Sequence, residues 1–293
     1  MRRKLDGILL LDKPVGPSSS AVLQAVKRLL EAEKAGHAGT LDPLASGLLP
    51  LLFGEATKFA QRGLDAAKEY VADVRLGAAT DTGDAEGQVL ERRAVDIDAA
   101  RLEAALARFR GDIEQVPPMY SALKHEGQPL YALARTGQSV PRAPRRICIH
   151  ELEVLGRATD LVRLRIRCSK GTYVRQLAVD LGLALGTLAH LAALRRTAVG
   201  PFRLEQAVSL DDLQALDAAA RLAWLLPTDR LLADLPRVEL EEEQARRFVN
   251  GQTLPCDAPG GACRVYRREG ALLGTGEVVP DGRLKPARLV ASG

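Results

Sequence analysis

One carboxylate stands inside an unusual string, Gly36-His37-Ala38-Gly39-Thr40-Leu41-Asp42-Pro43-Leu44-Ala45-Ser46-Gly47, whose three glycines and proline favour tight turning over regular structure. The string reads as a loop between two core elements, with Asp42 displayed on it and His37 near its start. Taken alone, an aspartate before a proline is a turn former, and a histidine in such a loop needs no task. A second string, Ser169-Lys170-Gly171-Thr172-Tyr173-Val174-Arg175, runs into a helical stripe of Val174, Leu177, Ala178 and Leu181, so Arg175 sits in the first turn of a helix. A cation there opposes the positive end of the helix dipole and calls for a carboxylate; a buried aspartate would be such a partner. Tyr70 begins an alternating segment and points inward, as a core aromatic or a ligand platform would. Lys13 by itself is a solvated strand-end lysine, and Leu194 a core leucine on the stripe Leu191, Leu194.

Other chemistries lack their parts. Cys148, Cys168, Cys256 and Cys263 form no CxxC pair, and the four histidines never fall at i, i+4, so neither a structural zinc nor a disulfide framework is expected. There is no P-loop and no dinucleotide fingerprint. The turn Asp81-Thr82-Gly83-Asp84 lacks the glutamate spacing of a calcium loop. No metal and no cofactor is expected.

The elements that must position these residues follow from periodicity. Gly7 to Leu11 reads as a buried strand, after which Ser18-Ser19-Ser20 caps a helix with Val22, Leu23, Val26, Leu29 and Leu30 on one stripe. From Tyr70, residues Ala72, Val74 and Leu76 share its face, with Asp73 and Arg75 opposite. A helix from about Asp98 to Arg110 buries Leu102, Leu106 and Phe109 and stops at Gly111. Residues 117–146 carry five prolines and several basic side chains, the composition of a partly irregular arm suited to phosphates or simply to solvent. Val162 to Cys168 alternates again and sets Arg163, Arg165 and Arg167 on one face, where they repel unless RNA or a run of strand glutamates lies beside them. Helical patterns fill 206–235. From Pro236 a short helix, about Glu241 to Asn250, and strands near Cys263–Arg267, Ala271–Val279 and Leu284–Val290 suggest a small separate domain.

With 293 residues and 46% apolar content, the chain exceeds what one hydrophobic core usually holds. Forty-one Lys and Arg against 37 Asp and Glu leave a net charge of +4, so a polyanion must be met by local basic surface. The apolar run Ile8 to Leu11 is too short for a signal-peptide core or a membrane span, and a cytoplasmic protein is expected.

Five strings in order, Asp12-Lys13-Pro14-Val15-Gly16, the twelve residues around Asp42, Tyr70 on its strand, Ser169 to Arg175, and Leu194-Arg195-Arg196, resemble the TruB family of bacterial tRNA pseudouridine-55 synthases. The resemblance runs from about residue 5 to 235. It implies an α+β fold: a mixed-sheet pseudouridine synthase catalytic domain over 1–235, with a basic RNA-contacting arm at about 117–146, and a small, mostly β RNA-binding domain over 236–293. It also implies site roles. Asp42 matches the catalytic aspartate, Tyr70 the tyrosine that stacks beneath the flipped uridine, and Arg175 the arginine that pairs with the aspartate. Leu194 matches a pocket-lining residue, His37 the histidine that enters the loop RNA, and Lys13 a lysine that supports the active-site loop.

The implied reaction breaks the ribose C1′ to uracil N1 bond, turns the trapped base and rejoins it through C5, without cofactor or metal. Tyr70 is also placed to relay the C5 proton. Attack on C1′, addition to the base and removal of the C2′ proton all remain open for Asp42. The implied partner is the T stem-loop of tRNA, with no membrane and no protein partner, and a monomer is expected. Two rivals stand beside this reading: an RNA-binding tRNA-folding chaperone whose catalysis is secondary, and a nucleoside glycosidase, which requires a second catalytic carboxylate, while the matched roles fall on Asp42 alone among the acids.

Overall fold

A strand covered on both faces is apolar throughout, and Gly7–Lys13 (β1) is of that kind, with every residue except Asp12 buried. The computed structural model describes residues 2–121, 123–268 and 270–291; readings that touched Met1, Ala122, Glu269, Ser292 or Gly293 lie outside the described residues. Ser18 caps the helix Ser19–Leu29 (α1), accepting a bond from the Ala21 N–H, and Val22, Leu23 and Val26 are buried. The string around Asp42 is less irregular than its glycines suggest. Its first residues join a short strand, Ala35–His37 (β2), and its last begin the buried strand Ala45–Phe53 (β3), leaving 38–44 as the loop proper.

A short helix, Ala60–Asp65 (α2), leads into Lys68–Leu76 (β4), where Ala72, Val74 and Leu76 are buried as the alternation requires. Ala78–Thr80 (β5) and Val89–Arg92 (β6) form a small hairpin around the polar turn at 81–84. Asp98 caps Ala99–Ala107 (α3), which ends short of the expected Arg110 because the Arg108 and Phe109 amides bond three residues back, tightening the last turn. Gly111–Gln115 (β7) follows. The basic segment contains regular pieces, Lys124–His125 (β8) paired with Gln128–Pro129 (β9) and a short helix Leu130–Arg135 (α4), while Arg145 and Arg146 already belong to the main sheet.

Arg145–Arg157 (β10), Leu161–Cys168 (β11), the helix Val174–Ala184 (α5) and Ala189–Val199 (β12) complete the centre, followed by the short strands Phe202–Arg203 (β13) and Val208–Ser209 (β14). The main sheet runs β14-β1-β3-β12-β4-β11-β10-β7; it is mixed, with β1–β14 and β3–β12 parallel and the other pairs on this path antiparallel. Two clusters dominate its core. One packs α3 and α5 on β4, β10 and β11, and the other packs α1 on β1 and β3.

Beyond the short helices Leu210–Ala215 (α6) and Ala218–Leu222 (α7), a second, five-stranded sheet gathers Arg237–Leu240 (β15), Leu254–Pro255 (β16), Gly261–Arg267 (β17), Leu272–Val279 (β18) and Arg283–Leu289 (β19) around Phe248 of the helix Glu242–Val249 (α8). It is tied to the main body by Tyr266 donating to Asp229 at 2.6 Å and Lys58 donating to the Leu289 carbonyl at 3.0 Å. No helix among the described residues is long and apolar enough to cross a membrane.

The arginine strand resolves differently from an RNA-facing reading. Arg163 forks onto Asp73 at 2.7 and 2.8 Å, Arg165 meets Glu153 at 2.8 Å and Arg167 meets Glu151 at 2.8 Å, each with its direct cross-strand partner. Acids of the adjoining strands therefore relieve the repulsion, and the Arg163 hydrogen bond pulls the Asp73 carboxyl below its usual range.

Gly47 shows how tightly the sheet closes over the loop. Its φ is +99°, and a Cβ there would lie 2.3 Å from the Arg196 carbonyl oxygen and 2.7 Å from the Arg196 nitrogen. Gly186 has φ +76° but open space around it. Gly47→Ala should therefore lower the melting temperature well beyond Gly186→Ala, whose backbone cost alone is about 1–3 kcal/mol. Equal losses in thermal unfolding would show that β3 and β12 are not held in contact there.

Candidate active site

The loop 38–44 is held from below before it presents anything. Ser19 is buried, and its hydroxyl both donates to the Leu41 carbonyl and accepts from the Leu41 N–H, each at 2.8 Å. Lys13, with no exposed surface, donates to the Pro14 and Ala45 carbonyls at 2.8 and 2.7 Å. Arg196, 1% exposed, donates to the Leu48, Gly39 and Thr40 carbonyls at 2.8, 3.0 and 3.3 Å. Burial leaves none of these side chains free to turn to water, so the backbone on both sides of Asp42 is fixed.

Asp42 itself stays accessible, its side chain 49% exposed, and one carboxylate oxygen accepts from the Arg175 guanidinium. Arg175 is buried in the first turn of α5 and answers the dipole argument with two acids, since its Nε lies 3.2 Å from Asp84. Asp84 is itself held: its Oδ1 accepts from the Thr82 hydroxyl at 2.6 Å and from the Glu86 N–H at 3.1 Å. The start of α5 is anchored by buried Gln115, whose side chain brackets the Tyr173 backbone, accepting from its N–H at 2.8 Å and donating to its carbonyl at 3.1 Å.

These groups open into a cleft of about 340 Å³. Asp42, Tyr70, Arg175 and Leu194 line it together with Tyr173 and the buried cations Lys68 and Arg196. Of the residues singled out in the sequence, Lys13 and His37 do not line the cleft: Lys13 lies under the loop, and His37 sits on β2 opposite Leu51. The His37 Nδ1 is buried with no hydrogen-bond partner among the described residues, and burial lowers its ring below the usual histidine value, which keeps it neutral near pH 7. Burial pushes the Tyr70 and Tyr173 hydroxyls up, so both are protonated there. It pulls Lys13 and Lys68 down to about 8.

Leu191 and Leu194 do share a face, but on a strand: a bulge between Leu191 and Ala193 turns a three-residue spacing into same-side placement. Asp84, Arg196 and Lys68 escaped sequence reasoning. Asp84 looks like one more turn residue, Lys68 like a solvated lysine, and Arg196 shares an exposed-looking pair with Arg195, which does lie at the surface against Asp12 at 2.6 Å. A second acid thus does stand near the site, although it was missing from the matched strings. It sits on the far side of Arg175 and does not line the cleft.

Comparison with known proteins agrees along the whole chain. Residues 27–174 match the family described as TruB family pseudouridylate synthase (N terminal domain), 175–233 match the tRNA pseudouridylate synthase B C-terminal domain, and 236–290 match pseudouridine synthase II TruB, C-terminal. A tRNA pseudouridine synthase B of Aromatoleum aromaticum is 54% identical over 99% of this chain and 94% of its own length. One of Burkholderia mallei is 55% identical over 100% and 99%. Among solved structures, a Cbf5-Nop10-Gar1 complex is similar at TM-score 0.74 and 28% identity, covering 98% of this chain and 84% of that one. An H/ACA RNP bound to a substrate RNA containing 2'-deoxyuridine is similar at TM-score 0.75 and 26% identity, covering 98% and 85%.

Lys13 offers a test of the buried floor. Its value is about 8 in the folded protein against an ordinary 10.5, so across that window the unfolded chain binds a proton that the folded chain has released. Stability at this site therefore rises as pH increases through the window. The melting temperature of wild type minus that of Lys13→Met should grow from about pH 8 to about pH 10.5. A constant difference would show that the ammonium is not desolvated.

Proposed function

The chain belongs to the TruB family of pseudouridylate synthases, and from that premise we propose that it isomerises the uridine at position 55 in the T loop of tRNA to pseudouridine. The observation that carries the site assignment is the ion pair from Arg175 to an accessible Asp42 at the mouth of a cleft whose lining includes Tyr70. A uridine in a folded loop cannot be reached while stacked; it must be extruded, and stacking on an aromatic side chain regains part of what is lost. Tyr70 is that platform in this reading, with Leu194 as apolar wall beside the base. A phenol kept protonated by burial suits stacking better than it suits a free base.

Asp42 is the catalytic residue, as nucleophile or base toward the ribose or the base, and the ion pair with Arg175 holds the carboxylate in place. The isomerisation needs no redox partner and no acceptor, which agrees with a site built from one reachable acid, a cation and an aromatic. His37 occupies space that the flipped base vacates, and Lys13 supports the loop. We assign residues 1–235 to the chemistry and 236–293, together with the segment 117–146, to RNA affinity, in a cytoplasmic monomer that uses no cofactor.

A glycosidase needs a second acid to activate water, and Asp84 does not reach the cleft. A pure folding chaperone has no use for a carboxylate displayed toward an anionic substrate.

Asp42→Asn removes the charge and keeps the shape. Single-turnover pseudouridine formation on unmodified tRNA should disappear while filter binding stays within a few-fold of wild type, because affinity rests on phosphates and stacking. Near-normal turnover would remove Asp42 from the mechanism, and chemical mapping of the product at any site other than uridine 55 would revise the substrate.

Removing residues 236–293 should weaken binding more than it slows the step at saturating enzyme. Equal losses would overturn the division of labour between the two sheets.

A further inference from the structure

Resting on the reading of the cleft as a base-flipping active site, we propose that Arg196 is the positioning residue that fixes the catalytic loop relative to the stacking tyrosine. Lys13 on β1, Gly47 on β3, Arg196 on β12 and Tyr70 on β4 are successive register partners across the main sheet. Directly opposed residues of neighbouring strands lie side by side on one face, so these four form a single row beneath the loop. Gly47 contributes no side chain to it, and any side chain there would collide with the Arg196 backbone.

From that row one guanidinium reaches the chain on both sides of Asp42, Gly39 and Thr40 in the loop and Leu48 on β3. Its charge also acts on the hydroxyl of Tyr70, its direct partner across β12 and β4. The two parts of the site whose separation decides whether a flipped base meets the carboxylate therefore meet at the same residue, the loop through hydrogen bonds and Tyr70 through strand register. A guanidinium presents five donors in fixed directions; a lysine at this position presents three on one atom and cannot span the same acceptors.

The acceptors are also all neutral. Among the described residues no carboxylate pairs with Arg196, although Arg195 beside it has Asp12 and Arg175 has Asp42 and Asp84. A buried cation without an anion costs free energy that an apolar residue of similar size avoids, so its presence calls for a role beyond filling space. Its field is felt nearby: after burial, Arg196 is a cause of the lowered values of Lys68 and His37.

The test compares wild type, Arg196→Lys and Arg196→Met by single-turnover rate at saturating enzyme, RNA affinity, melting temperature and NMR titration of tyrosines labelled at Cζ. Arg196→Met should slow the chemical step by about 100-fold, the scale of a misplacement near 1 Å, with Kd within about threefold. Arg196→Lys should recover part of that rate. In Arg196→Met the Tyr70 phenol should ionise at higher pH than in wild type, because the cation that favours its ionised form is gone.

A folded Arg196→Met with wild-type rate, or with rate and affinity lost in equal measure, overturns the proposal. If the Met variant does not fold, Arg196→Lys decides on the same criteria, and failure of both to fold assigns Arg196 to stability and overturns it as well. Wild-type protein that forms no pseudouridine overturns the activity reading and this one with it. An active wild type with unaffected variants overturns this one alone.

Discussion

A charge taken out of water must be met by oxygen atoms at fixed positions, and that requirement shapes the active-site side of this protein. Three cations, Lys13, Lys68 and Arg196, are buried there and donate to backbone carbonyls, Lys68 at the end of α2 and the other two on the loop around Asp42 and its flanks. Carbonyls cannot swing away as side chains do. The loop is thereby held to the sheet through its main chain, which leaves its one acidic side chain free to face the cleft.

Arg175 works on the opposite principle. Its guanidinium is shared between a carboxylate that is held, Asp84, and one that is accessible, Asp42. The held acid accounts for the burial of the arginine in a helical first turn, and the accessible one receives a fixed orientation without being buried. The accessible carboxylate is thus kept apart from the groups that bear the desolvation cost of positioning it.

Much of this was legible in the sequence where the physics is local. Alternation put Tyr70 on the inward face of its strand, and the stripe from Val174 to Leu181 put Arg175 where a carboxylate had to follow. What was hidden depends on partners far along the chain. Arg163, Arg165 and Arg167 are indistinguishable from a phosphate-binding face until strand register sets Asp73, Glu153 and Glu151 beside them. The glycines around Asp42 suggested a long loop, yet Gly47 lies in a strand and is small because another strand's backbone passes against it. Leu191 and Leu194 carry a helix-like spacing produced by a bulge. Asp84 and Arg196 gave no local signal, because their significance lies in contacts with residues 91 positions or more away in sequence: Arg175 for the first, Gly39, Thr40 and Leu48 for the second.

That separation has a consequence during synthesis. Arg196 lies 157 positions after Gly39 and Arg175 lies 133 after Asp42. At ~5–20 residues per second, the ribosome delivers the loop roughly 8 to 30 seconds before the cation that fastens it. During that interval β3 lacks its parallel neighbour β12, and the carbonyls of Gly39, Thr40 and Leu48 lack the donor that Arg196 later brings. The nascent chain therefore carries its acidic loop without the grip of either arginine, and the cleft comes into being late, when β12 slots between β3 and β4.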